Sequence, residues 1–311
     1  MSPKTSEPIG GSADIEERPV QVFVPHRAGL PKLSTYFATL WRRRHFAVEL
    51  SRASMRAAHT NTFFGQFWLV ISPALNAAVY FLLVTIIRGG HSGPDFFIHL
   101  LAGLFAFNFI SATMSAGAES VVRGGSLVLN TAFPLLLLPW SALRTAFFRF
   151  LPSLIILLAF FVYFDFVGPH PMDCSGAGDC IPLNTVHFSP VQLMAIPAFA
   201  LIFVFAAGLA GLMATVQVYF RDTTQFLPYA TRIWLYLSPV LYYADQLKPW
   251  MLKLELFNPL YPLLGIWTDT LARGVMPAPS AWLGAAAWAL GSLLVGTFYF
   301  ISREREFAVR I

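Results

Sequence analysis

The stretch "VYFRDTTQFLPYATRIWLYLSPVLYY", residues 218–243, sets an adjacent Arg221–Asp222 pair between two apolar runs. Upstream, residues 190–220 hold no charged side chain, and downstream, residues 225–244 hold only Arg232. A helix needs about 20 predominantly apolar residues to cross a hydrocarbon layer of about 30 Å, so the stretch reads as two membrane spans joined by a charged turn. Working outward, residues 67–87 and 281–302 are uncharged, residues 96–118 carry only His99, and residues 142–164 carry Arg144 and Arg149. With 191–218 and 225–244 these make six spans. Composition agrees: the 311 residues are 56% hydrophobic and 12% charged, against about 25% charged in soluble domains. The expected fold is an all-α integral membrane protein of six transmembrane helices. An amphipathic interface helix precedes them, and short external re-entrant helices lie between spans five and six.

Lys and Arg accumulate on the cytoplasmic side of short loops. With the N-terminus inside, all of the 21 basic residues except Arg88, Lys248, Lys253 and Arg273 fall on that side or in helix ends near it. The loop 165–190 has Asp165, Asp173 and Asp179 but no Lys or Arg, as an external loop would. Both termini are therefore expected in the cytoplasm, and the net charge of +5 reflects this bias rather than nucleic-acid binding. Residues 1–30 lack apolar periodicity and read as a disordered tail, not a signal peptide. Over residues 31–58, Leu33, Tyr36, Phe37, Leu40 and Trp41 recur at helical spacing and run into Arg42–Arg43–Arg44. An aromatic face with a basic flank suits a helix in the headgroup layer that a soluble partner could grip, a plain basic flank being the alternative. Between spans five and six, Asn258 is the expected N-cap, Pro259 the first helical residue and Gly274 the residue past the helix end. Leu260, Leu263, Leu264, Ile266 and Trp267 in that segment need burial, which favours a helix dipping into the outer leaflet.

The chemistry-bearing patterns of enzymes are missing: there is no Gly-x-Ser-x-Gly and no His-Glu-x-x-His. Lys4, Lys32, Lys248 and Lys253 are the lysines and none follows a glycine, so a Walker-type phosphate loop is excluded. The expected spans contain no Asp or Glu, which disfavours ion coupling and leaves a partner-driven mechanism. Cys174 and Cys180 fall in the expected external loop, where a Gly-rich turn and an oxidising face allow a disulfide. A metal held by these thiols with Asp173, Asp179 and His170 is the weaker alternative, and no metal centre is expected. Arg144, Arg149 and Arg232 lie near cytoplasmic span ends, where they either snorkel or meet an anionic lipid or substrate head.

Several motifs then fall together. Phe220–Arg221–Asp222, Ser238–Pro239–Val240–Leu241–Tyr242, Asn258–Pro259–Leu260 and the helix ending at Arg273–Gly274 follow Gly65–x–x–Trp68 and Pro73 in order. In this combination the chain resembles ABC-2 type polysaccharide export permeases, which move O-antigen, cell-wall galactan, teichoic acid or capsule. It departs from them in having Ala58–His59 where an Arg-Tyr pair is usual. The resemblance implies a permease in the bacterial cytoplasmic membrane that pairs with itself and with two copies of a nucleotide-binding ATPase, exporting a polysaccharide linked to undecaprenyl diphosphate. ATP and Mg would be bound by that partner, leaving this chain without a cofactor.

Pairing also fits geometry, since six helices are too few to enclose a wide sugar path. Gly208, Gly211, Ala285, Ala289 and Gly291 offer small faces for close helix contact. Arg42, Arg43, Arg44, Arg221 and Asp222 are the candidate ATPase-coupling residues; the alternative for Arg221–Asp222 is a salt bridge that only sets helix ends. Aromatic rings stack on the apolar faces of sugars, so Phe63, Phe64, Trp68, Tyr80 and Trp234, with the three arginines of the spans, are candidates for the channel or the site where substrate enters. Pro239, Tyr242, Asn258 and Pro259 form the candidate external gate. An ABC-2 exporter of a drug or small lipid, and a partner-free membrane scaffold, are the rival readings.

Overall fold

The computed structural model describes residues 32–58, 68–87, 94–130, 133–166, 172–173, 181–182, 189–243, 248, 250–251 and 255–311. The longer helices among them are α1 (Leu33–Arg42), α2 (Arg44–Ala58), α3 (Trp68–Ile87), α4 (Pro94–Arg123), α5 (Gly125–Asn130), α6 (Leu137–Phe166), α7 (Ala195–Tyr219), α8 (Thr223–Tyr236), α9 (Leu260–Leu271) and α10 (Pro279–Arg310). A 3-10 turn, Pro190–Met194, leads into α7, and a two-residue ladder pairs Met172 with Pro182 and Asp173 with Ile181. Phe63, Phe64, Cys174, Cys180 and the expected tail lie outside the described residues.

Among the described residues, four segments are long and apolar enough to cross a membrane: Asp95–Arg123, Leu137–Phe166, Pro190–Tyr219 and Pro279–Arg310. In α3 the apolar run is Ile71–Ile86. The expected fifth span differs. Helix α8 has 14 residues, or about 21 Å at 1.5 Å per residue, and ends where Pro239 pushes Ser238 out of helical geometry. The expected interface helix is likewise two helices, broken at Arg43 (φ −95°, ψ 11°).

Helix α4 is the axis of the bundle. Its residues from Phe96 to Phe107 are buried all round except for Phe97, and α6, α7, α8 and α9 pack about it. Helix α9, 12 residues long, is buried on nearly every face, and the Trp267 indole donates to the Ala102 carbonyl at 2.9 Å. That contact satisfies a buried N–H at a point where water is excluded. Asn258 works as the expected cap, its Oδ1 accepting from the Leu260 N–H at 3.1 Å, with the helix starting one residue later than the sequence suggests. Gly274 sits past the helix end at φ +61°, the left-handed geometry that glycine adopts without strain.

Helices α7 and α10 cross most closely of all. A Cβ on Gly208 would stand 2.2 Å from the Ser292 carbonyl carbon, and one on Gly296 would stand 2.0 Å from the Gly208 oxygen. Gly208, Gly211, Ala285 and Ala289 are therefore spent on packing within the chain, whereas Gly291 has nothing within 4 Å. The small faces expected to serve pairing between copies are, apart from Gly291, interior. A second, smaller core joins Leu40 and Ala47 of α1 and α2 to Leu136, Leu138, Val218, Phe300 and Phe307 at the basic end of the bundle.

Candidate functional site

Between α3, α4 and α6 lies a groove of about 530 Å³. Its polar side chains come from helical spacing: Ser72 and Asn76 are one turn apart on α3, Asn108 and Ser111 face them from α4, and Arg149 and Ser153 are one turn apart on α6. Trp68, Phe105, Phe109 and Phe150 supply the aromatic walls. Along the groove Asn76 and Arg149 are exposed and Asn108 is half-buried, each on an otherwise apolar helix. Polar side chains on an apolar helix are costly where they meet hydrocarbon, so a groove that gathers them suits water or a polar ligand. Rings beside amides and hydroxyls are the chemistry that holds sugars. Trp68 and Arg149 were legible from the sequence; the asparagines and serines were not, though their one-turn spacing on one face of each helix was the available signal.

The other candidates separate. Tyr80 lies against Tyr236, with Arg232 near. Arg144 donates to the Val48 carbonyl at 3.4 Å and lies over the Phe148 ring, tying α6 to α2. Beside it the Thr145 hydroxyl donates to the Ser51 hydroxyl at 2.9 Å. Trp234, expected in a channel, instead donates its indole N–H to Asn258 Oδ1 at 2.9 Å. Asn258 Nδ2 donates to the Leu237 carbonyl at 3.1 Å and to Glu255 at 3.1 Å, and Glu255 accepts from the Tyr242 hydroxyl at 2.9 Å. Three residues named from the sequence, Trp234, Tyr242 and Asn258, thus meet in one knot joining α8 to α9, with Pro239 and Pro259 next to it in the chain. Glu255, buried at its centre, was missed, because it falls outside the apolar runs.

At the basic end, Arg221 does not pair with Asp222. Its guanidinium donates to the Arg310 carbonyl at 3.1 Å, capping the last helix, while the Asp222 carbonyl opens α8 by accepting from Gln225 and Phe226. Helix C-termini carry partial negative charge, which explains where the arginine turns. The turn is pinned by Gln217, buried, whose amide donates to the Arg221 carbonyl at 2.9 Å and accepts from the Thr224 N–H at 3.0 Å. Tyr219 donates to Glu306, with Arg310 at 4.3 Å over its ring. Nearby, Glu304 accepts from the Tyr36 hydroxyl at 2.6 Å and the Leu135 N–H at 2.5 Å, so one carboxyl holds α1, the α5–α6 connection and α10 together. Glu304 lies beyond residue 302, past the expected span. Burial pushes its carboxyl up from the ordinary value, outweighing the two donors that pull it down. Arg42, Arg43 and Arg44 form an exposed elbow, Arg44 lying 4.7 Å over the Trp41 ring. No group of three or more metal-ligating side chains occurs among the described residues.

No protein-family model matches the chain. Curated proteins do. It is 24% identical over 277 residues to the O-antigen export system permease protein RfbA of Myxococcus xanthus, covering 88% of this chain and 97% of that one. To an RfbA of Klebsiella pneumoniae with the same name it is 22% identical over 231 residues, 74% of this chain and 81% of that one. Over most of its length, therefore, the chain is similar to O-antigen export system permeases.

Proposed function

We propose that this chain is the transmembrane subunit of an ATP-driven ABC transporter, exporting a lipid-linked polysaccharide such as O-antigen or cell-wall galactan across the bacterial cytoplasmic membrane. The observation that carries the reading is the likeness to an O-antigen export permease across nearly all of both chains. The groove between α3, α4 and α6 supports it, because it offers rings and amides to a sugar chain within apolar helices. In this reading both termini are cytoplasmic, α1 and α2 lie in the inner headgroup layer, α8 with its following turn is the fifth span, and α9 is the re-entrant helix.

The transporter is a homodimer with two nucleotide-binding ATPase subunits, which hold ATP and Mg. Arg42, Arg43 and Arg44, with the turn at Arg221 and Asp222, face them and pass the power stroke to α7, α8 and α10. The glycan travels on undecaprenyl diphosphate. Depletion of the chain in its host tests this reading: surface polysaccharide should fall while lipid-linked polymer accumulates inside. Unchanged surface polymer, with altered tolerance to small amphiphiles instead, would favour an exporter of a drug or small lipid.

A further inference from the structure

We propose that a cleft between α6, α7 and α9 holds one acyl chain of a membrane phospholipid as a resident ligand. The cleft has a volume of about 450 Å³. Helices α6 and α7 both pack along α4 and leave it between them, and α9 closes it as the third wall. Phe150 lines both this cleft and the groove between α3, α4 and α6.

The lining selects hydrocarbon. No charged side chain borders the cleft among the described residues, and its polar ones, Ser189 and Gln192, sit together at one end, where they cap the Pro190–Met194 turn. Apolar cavities stay dry, and an unfilled one forfeits the dispersion contacts of its wall atoms. Leu158, Leu193 and Ile196 form an exposed rim through which the surrounding hydrocarbon enters, above a floor of buried Phe150, Phe161, Trp267 and Leu271.

Length and polarity select a phospholipid chain. On α6 the lining runs as one helical stripe through Phe147, Phe150, Leu154, Leu158 and Phe161. The stripe covers about 21 Å at 1.5 Å per residue, enough to accompany a chain through one leaflet, half of a hydrocarbon layer of about 30 Å. A polyprenyl tail is longer than one leaflet and overruns it. Hydrocarbon along the stripe with polar groups at one end is also the order of an acyl chain hanging from its ester. The bound chain braces two features at once. The Phe199 ring stacks on Phe150 at 4.7 Å and lies 5.5 Å from the Trp267 ring, so filling the cleft steadies both the groove wall and the helix that Trp267 ties to Ala102.

The test uses the full chain, extracted in mild detergent and washed until loosely held lipid is removed, with bound lipid identified by native mass spectrometry. Wild type should keep one phospholipid per chain. Leu158→Trp and Ile196→Trp, which fill the cleft from its exposed rim, should keep at least fivefold less, and Leu294→Trp, on an exposed face of α10, should keep as much as wild type. Helix content is checked for each variant. Adding lipid back to washed wild type gives a second measurement: phosphatidylcholine and phosphatidylglycerol with palmitoyl chains should raise its Tm alike, and the same headgroups with octanoyl chains should not. Equal retention by the folded rim variants, or a Tm that follows headgroup rather than chain, would overturn the site. So would a polyprenyl phosphate as the bound mass, or a wild-type dimer that the rim variants convert to single chains, since a second copy would then fill the cleft. None of these outcomes depends on what the chain exports.

Discussion

The crossing of α7 and α10 makes a sharp prediction, because glycine's absence of a side chain is there the condition for contact. In Gly208→Ala the new methyl would meet Ser292 backbone carbon at 2.2 Å and oxygen at 2.3 Å. Ordinary contact is about 3.5–4.0 Å, so the helices must part by more than about 1 Å. Parting them strains the Ser292 hydroxyl's hydrogen bond to the Phe205 carbonyl, now 3.0 Å. Overpacking of this kind costs about 1–3 kcal/mol and the hydrogen bond about 1 more, against a gain of about 1 kcal/mol from replacing glycine in a helix. The net expectation is a loss of about 1–3 kcal/mol. Gly291→Ala, on the same α10 but with nothing within 4 Å, receives the helix gain without the clash and should be neutral or stabilising. Equilibrium unfolding in mixed detergent micelles reads both. Gly208→Ala no less stable than Gly291→Ala would refute the close crossing.

Three further outcomes follow from other sites. Asn258→Leu should cost about 2–4 kcal/mol in the same assay, because it strands the Trp234 N–H and removes one of the donors to the buried Glu255 carboxyl, while Asn258→Asp should retain the Trp234 bond without the amide donors. Asn76→Leu combined with Asn108→Leu should leave the protein level and helix content intact yet lower surface polysaccharide roughly tenfold, a loss of about 1.4 kcal/mol; unchanged polymer would remove these amides from the path. For Glu304, burial raises the folded-state value, so its contribution is fully present below the ordinary carboxylate range and is lost as pH rises through the raised value. The stability of wild type relative to Glu304→Gln should accordingly shrink from pH 4 to pH 8, and a difference that grows with pH would contradict the buried placement.

What could be read from the sequence was set by period and length. The runs at 96–118, 142–164, 191–218 and 281–302 each became a helix long enough to span, since apolar residues in that number have few other stable arrangements. The α9 caps were legible for a local reason: Asn258 and Gly274 are side-chain and backbone chemistry acting within two or three residues. Length failed at residues 225–244, because hydropathy does not register that Pro239 ends α8 after 14 residues. The partners of Arg221 were also hidden. Adjacency suggested Asp222, but neighbouring residues on a turn point apart, and the carbonyls that receive the guanidinium lie at Arg310 and Ile311, 89 and 90 residues away. Groove polarity was half visible: Arg149 stood out by charge, while Asn76 and Asn108 needed the packing of α3 against α4 to acquire a meaning.

The central claim, that this chain is the membrane half of a pump whose energy comes from a separate ATPase, is tested most directly by reconstitution. Proteoliposomes containing the chain together with the proposed ATP-binding subunit should sequester lipid-linked glycan only when ATP is present, and vesicles with the chain alone should not. Glycan accumulated against a gradient by the chain alone, or at the same rate without ATP, would contradict the account.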